Sequence, residues 1–195
     1  MQFVSEPGQT PLDPDEIGGL KPKHITTQEQ LNAWEQVNIL AGRFWAVQQS
    51  KKVELLEENF IRRLHLKMFG DTWNWAGTFR QTDKSIGVAS EQVAMRLTQL
   101  LDNTRYQRDH KTCPSDELAI RFHHQLVLIH PFANGNGRHS RLMADVLGQR
   151  LGCAAFSWGA GIDLVKAGAA RQQYLEALRA ADRGDITQLL AFARS

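Results

Sequence analysis

Residues 116–141 restrict what this chain can fold into more than any other stretch. Leu118, Ile120, Phe122, Leu126, Leu128 and Ile129 give 116–129 the apolar load of a buried central helix. Pro131 disfavours helix at the residue before it, so the segment ends at His130. Gly135-Asn136-Gly137 then makes a turn, and a second helical segment runs over 137–151. A helix–loop–helix with its chemistry in the loop is the expected centre of the molecule.

The rest of the chain follows the same habit. Helices are expected over 28–48, 53–69, 90–104, 115–130, 162–180 and 185–194. The first should bury Leu31, Trp34, Val37, Ile39, Leu40 and Phe44, the second Leu55, Leu56, Phe60, Ile61, Leu64 and Met68. Four of the six prolines fall within residues 1–25, which reads as an extended or looping arm. Residues 78–89 are the least helical stretch, with a short hairpin expected around Lys84-Ser85. The fold class is mainly α.

With 42% hydrophobic residues in 195, the chain can bury a sizeable core, and intrinsic disorder is excluded. A net charge of +2 gives no bulk case for nucleic acid. No apolar run approaches a membrane span, and Cys113 and Cys153 form no CxxC pair. The expectation is a cytoplasmic protein with reduced thiols, not bound to membrane.

Residues 130–141 read His-Pro-Phe-Ala-Asn-Gly-Asn-Gly-Arg-His-Ser-Arg. Glycines let backbone N–H groups converge on an anion, and a helix start adds its positive end. Arg138 and Arg141 share one helical face and suit phosphate. His130, at the lip, can take a proton at neutral pH. Together these residues form a phosphate cradle with a base beside it. No HExxH or cysteine pairing accompanies His123, His124, His130 and His139, so His123 and His124 read as core or supporting residues.

The dozen resembles the signature HPFx(D/E)GNGRxxR of the Fic (Fido) domain family and matches every specified position but one. Phe60–His65, Trp75-Ala76-Gly77-Thr78-Phe79-Arg80 and Tyr174–Leu178 are similar to further parts of that domain. The resemblance implies a Fic-type helical bundle with a short β-hairpin flap over residues 50–195, preceded by an arm and helix over 1–49. Length, arm and Asn134 are similar to the subgroup called mobile mystery protein B, which leaves open a toxin–antitoxin role.

The resemblance also implies transfer of AMP from ATP, with Mg²⁺, to a Tyr, Thr or Ser hydroxyl of a target protein. His130 would deprotonate that hydroxyl. Gly135, Asn136 and Gly137 would hold the α- and β-phosphates, Arg138 the β-phosphate and Arg141 the γ-phosphate. Ser85, Ile86 and Gly87 sit at the flap that would pair with the target. Asn134 stands where the family has the Mg²⁺-binding acid; an amide can coordinate only without charge, so weaker metal binding or slower transfer is expected. A nucleotide-binding regulatory module with weak catalysis, or transfer of another phosphate-bearing group, is the alternative. Many family members block the γ-phosphate pocket with a glutamate on an inhibitory helix. Glu35, on the helix at 28–48, is favoured for that part over Glu58-Asn59, with contact to Arg141.

Overall fold

The computed structural model describes residues 11–159, 164 and 168–195. The expected start of a helix near 162 therefore lies largely outside the described residues, as do Pro7 and Gly8 of the arm. Among the described residues the fold is mainly α: α1 (Pro14–Gly18), α2 (Gln28–Gln49), α3 (Glu58–Phe69), α4 (Val93–His110), α5 (Ser115–Ile129), α6 (Asn136–Arg150), α7 (Ala169–Asp182) and α8 (Thr187–Arg194). α5 is the central helix, packed against α4, α6 and α8. α6 in turn meets α3 and α2, and α7 pairs with α8.

Local signals explain the boundaries. Thr27 caps α2 by accepting from Gln30 N, and the Gln30 side chain returns to Thr27 N. Pro14 opens α1, a short helix where only a looping arm was expected. α3 begins at Glu58 rather than 53, because Leu55 and Leu56 enter the core from an irregular segment. α5 ends in a left-handed His130, φ 54 and ψ 60, as Pro131 requires a departure from helix.

The expected hairpin at 78–89 is absent; the described residues contain only one isolated bridge, between Leu20 and Trp73. Arg80 explains the loop that replaces it. Its buried guanidinium donates to the carbonyl of His130 (2.7 Å) and, within the loop, to those of Thr82 (2.9 Å) and Val88, which strand partners would otherwise hold.

α2 also departs from expectation. Its inward seam is Leu31, Glu35, Asn38, Gly42 and Ala46. The polar members are paired: Asn38 Nδ2 donates to Thr72 Oγ1 (3.2 Å), and Glu35 accepts from Trp73 Nε1 (2.7 Å). Facing those partners turns the more apolar stripe outward. Val37, Leu40 and Phe44 are 69%, 57% and 72% exposed, and Trp34 is also exposed, whereas Leu31 and half-buried Ile39 face in as expected.

Candidate active site

The loop from His130 to Gly135 joins α5 to α6 and is held from within. Asn136 folds its side chain back, accepting from Phe132 N (2.9 Å) and donating to Phe132 O (2.7 Å). The Phe132 ring is fully buried, stacked on His65 at 3.8 Å between centroids and edge-on to His139 at 5.1 Å. His65 Nδ1 accepts from Gly77 N (3.0 Å), which leaves Nε2–H to donate to Asn134 O (3.0 Å). One imidazole thus ties the turn after α3 to the loop before α6. Gly135 (φ 80) must be glycine: a Cβ there would meet Phe69 Cζ at 2.6 Å.

Beyond Gly135 the first N–H groups of α6 have no acceptor within the helix. They open onto a cleft of about 450 Å³. His130, Asn134, Gly135, Asn136, Gly137, Arg138 and Arg141 all line it, together with Glu35 of α2, Ile86 and Gly87 of the 78–89 loop, and Tyr174 of α7. The residues singled out from the motif therefore converge. Ser85 lies beside them on the exposed loop but outside the cleft lining. Gly87 (φ 108) brings the loop against the histidine, since a Cβ would meet His130 Cβ at 2.6 Å.

His130 is buried, and burial lowers its pKa to about 4; the Val127 carbonyl opposes this, and Arg80 and Lys84 add to it. Its Nδ1 lies 3.3 Å from Val127 O, a partner that can only accept. Nδ1 therefore carries the proton and Nε2 the lone pair. At neutral pH the ring is an uncharged base. His139, donating to Ile61 O (3.0 Å), is likewise lowered to about 4 by burial. Burial also puts His65 well below the usual histidine value.

The partner of Glu35 is not the one expected. Glu35 pairs with Arg138 (Oε2–Nη1, 2.6 Å), not Arg141. The inward seam of α2 meets the first turn of α6, where Arg138 lies; Arg141, one turn on, rests over the Tyr174 ring at 5.3 Å. Arg138 also covers Phe69 at 4.9 Å and approaches Asn134 Oδ1 at 3.4 Å.

Magnesium finds a poor protein donor set. Asn134 Oδ1 is a neutral oxygen that already accepts from Gly135 N (2.6 Å) and from cationic Arg138. Among the described residues no three His, Cys, Asp or Glu side chains group to hold a metal ion. The loop does not fit a protein-held Mg²⁺.

Motif reading missed three supports: His65, Arg80 and the inward turn of the Asn136 side chain. His65 had a signal, since it falls on the apolar face of α3 with Phe60, Ile61, Leu64 and Met68. Arg80 had none beyond its place in the resemblance.

Comparison with known proteins agrees with this fold. The Fic/DOC family model matches residues 55–147. Protein adenylyltransferase fic-1 of Caenorhabditis briggsae is 32% identical over 150 residues, and that of Caenorhabditis elegans 27%. Each alignment covers 73% of this chain but 27% of the relative, so the chain spans about a quarter of those proteins' length. Among solved structures, Fic-1 of C. elegans superposes with TM-score 0.66 at 24% identity, covering 92% of this chain and 51% of that one. BepC of Bartonella tribocorum, crystallised with AMPPNP, gives 0.66 at 18%, covering 93% and 97%. These structural likenesses establish the fold. The family model and the relatives thus liken residues 55–147 to the Fic/DOC family, and the solved structures add the fold alone.

Proposed function

We propose that this chain transfers AMP from ATP to a Tyr, Thr or Ser hydroxyl of a target protein. The observation that carries the reading is the convergence of an uncharged His130 with the start of α6, Arg138 and Arg141 on one cleft. His130 Nε2 takes the hydroxyl proton. The hydroxyl oxygen attacks the α-phosphorus, the bond from that phosphorus to the α–β bridging oxygen breaks, and pyrophosphate leaves. First-turn N–H groups of Asn136 and Gly137 face the α- and β-phosphates; Arg138 takes the β- and Arg141 the γ-phosphate. The 85–87 loop borders the hydroxyl side, and Gly87 sets its distance from His130.

Glu35 acts as a brake in this reading. It occupies Arg138, so the nucleotide must displace a buried carboxylate before its β-phosphate is bound. Asn134 offers a neutral oxygen where a carboxylate would help hold Mg²⁺; metal then enters chiefly on the nucleotide's own phosphates. Arm and Asn134 also support placement near mobile mystery protein B. No described helix is long and apolar enough to cross a membrane.

Incubation of a native lysate with the chain and α-³²P ATP tests the transfer. Label on protein that disappears with His130→Ala and is absent with γ-³²P ATP is the expected result. Nucleotide binding without label favours the regulatory alternative, for which the Glu35–Arg138 pair is the supporting observation. Glu35→Gly should raise labelling, and Asn134→Asp should raise it most at limiting Mg²⁺.

A further inference from the structure

The outward stripe of α2 has an order of its own. Ala33, Val37, Leu40 and Phe44 are exposed at spacings of four, three and four, the a/d rhythm of a two-helix seam. None of them lines the cleft. We propose that this face pairs with the same face of a second copy of the chain, the two α2 helices running antiparallel across a two-fold axis.

Three observations favour a second copy. Antiparallel pairing about the point between Asn38 and Ile39 sets Phe44 against Ala33 of the other copy and Leu40 against Val37. Each layer then joins a larger side chain to a smaller one, which fills space without overpacking. The flanks match as well: Trp34 comes beside Ala41, and Gln36 beside Arg43, so no like charges oppose across the seam. The apolar area is also substantial. The exposed Val37, Leu40, Phe44 and part of Trp34 present on the order of 400 Å² of apolar surface. That is about half of the ~800 Å² a partner contributes to a stable interface, so the polar residues flanking the seam would have to supply the remainder. The inner seam of the same helix carries Glu35, so dimerisation would press the helix that holds Arg138 from its other side.

Sedimentation equilibrium of the full chain over a concentration series tests the pairing. A dimer is expected, with Leu40→Arg monomeric at all loadings, unchanged in circular dichroism, and matching the wild type's thermal midpoint at dilutions where the wild type is also monomeric. Ala33→Phe should weaken the dimer by about tenfold or more, because Phe44 of the other copy then meets a filled position. The double variant Ala33→Phe/Phe44→Ala should recover it. A wild type that stays monomeric overturns the proposal, whether or not it binds lipid vesicles or another protein's helix. A dimer that survives Leu40→Arg, or a double variant that does not recover, overturns it too.

Discussion

Two loops meet at His130 and are held in opposite ways. The loop at 130–135 is fixed by its own residues and by the helices packed around it: Asn136 clamps Phe132, and Phe132 is buried against His65 of α3 and His139 of α6. The loop at 81–89 is largely exposed and held by distant groups. Arg80 gathers its carbonyls, and Lys84, itself buried, pairs with Asp13 and Glu16 of the arm at 2.6 and 2.7 Å. A loop that binds itself keeps one shape while its neighbours vary. A loop bound by an arm shares the arm's fate.

Acid should separate the two most strongly. His130 and His139 titrate near 4 in the fold and near 6.5 when unfolded, so between those values the unfolded chain binds more protons. Stability from these groups is complete above pH 6.5 and falls as pH drops toward 4. Each costs about 1.4 kcal/mol per pH unit in that window. Asp145, raised by burial to about 6, opposes this with one group. Around the other loop, the hydrogen bond from Lys84 lowers Asp13, and the Ser90 N–H lowers Asp83. Their contribution is present above about pH 3.8 and is lost only below it. Hydrogen exchange at pH 4.5 should therefore show the 130–135 loop opening before the 81–89 loop; the reverse order breaks the contrast.

Substitution gives smaller effects. Asn136→Ala leaves a buried N–H and carbonyl of Phe132 without their partner and should cost about 2–4 kcal/mol in urea unfolding. Gly87→Ala forces a side chain into positive φ against His130, a local cost of about 1–3 kcal/mol. It should cut labelling while leaving ATP affinity within about twofold, a difference of only ~0.4 kcal/mol. Asp13→Asn should cost only about 0.5 kcal/mol, since Asp13 is solvated and Glu16 still holds Lys84. Its signature is faster proteolysis within 81–89, with the 130–135 loop unaffected.

The same contrast explains what could be read in advance. α5, the turn and α6 were legible because Pro131, the glycines and the apolar spacing act within a few residues of where they sit. The 81–89 loop was not, since its shape is set by Arg80 and by an arm some seventy residues earlier. α2 was legible as a helix but not in its rotation. Hydrophobicity favoured Val37, Leu40 and Phe44 inside, and a buried Glu35 prevailed because Trp73 and Arg138 both satisfy it. That pairing also moved the expected partner from Arg141 to Arg138.

The left-handed backbone at residue 130 has a bearing on how such chains age in evolution. Glycine suits that conformation best, and most residues with a Cβ carry strain there, up to roughly 1–2 kcal/mol. His130→Gly should accordingly outlast His130→Ala by about 1 kcal/mol in unfolding. In a lineage released from its chemistry, drift toward a sturdier backbone would reach this position early. If His130 is the base proposed above, residue 130 is a gauge, readable from a gene alone, of whether a descendant keeps that chemistry.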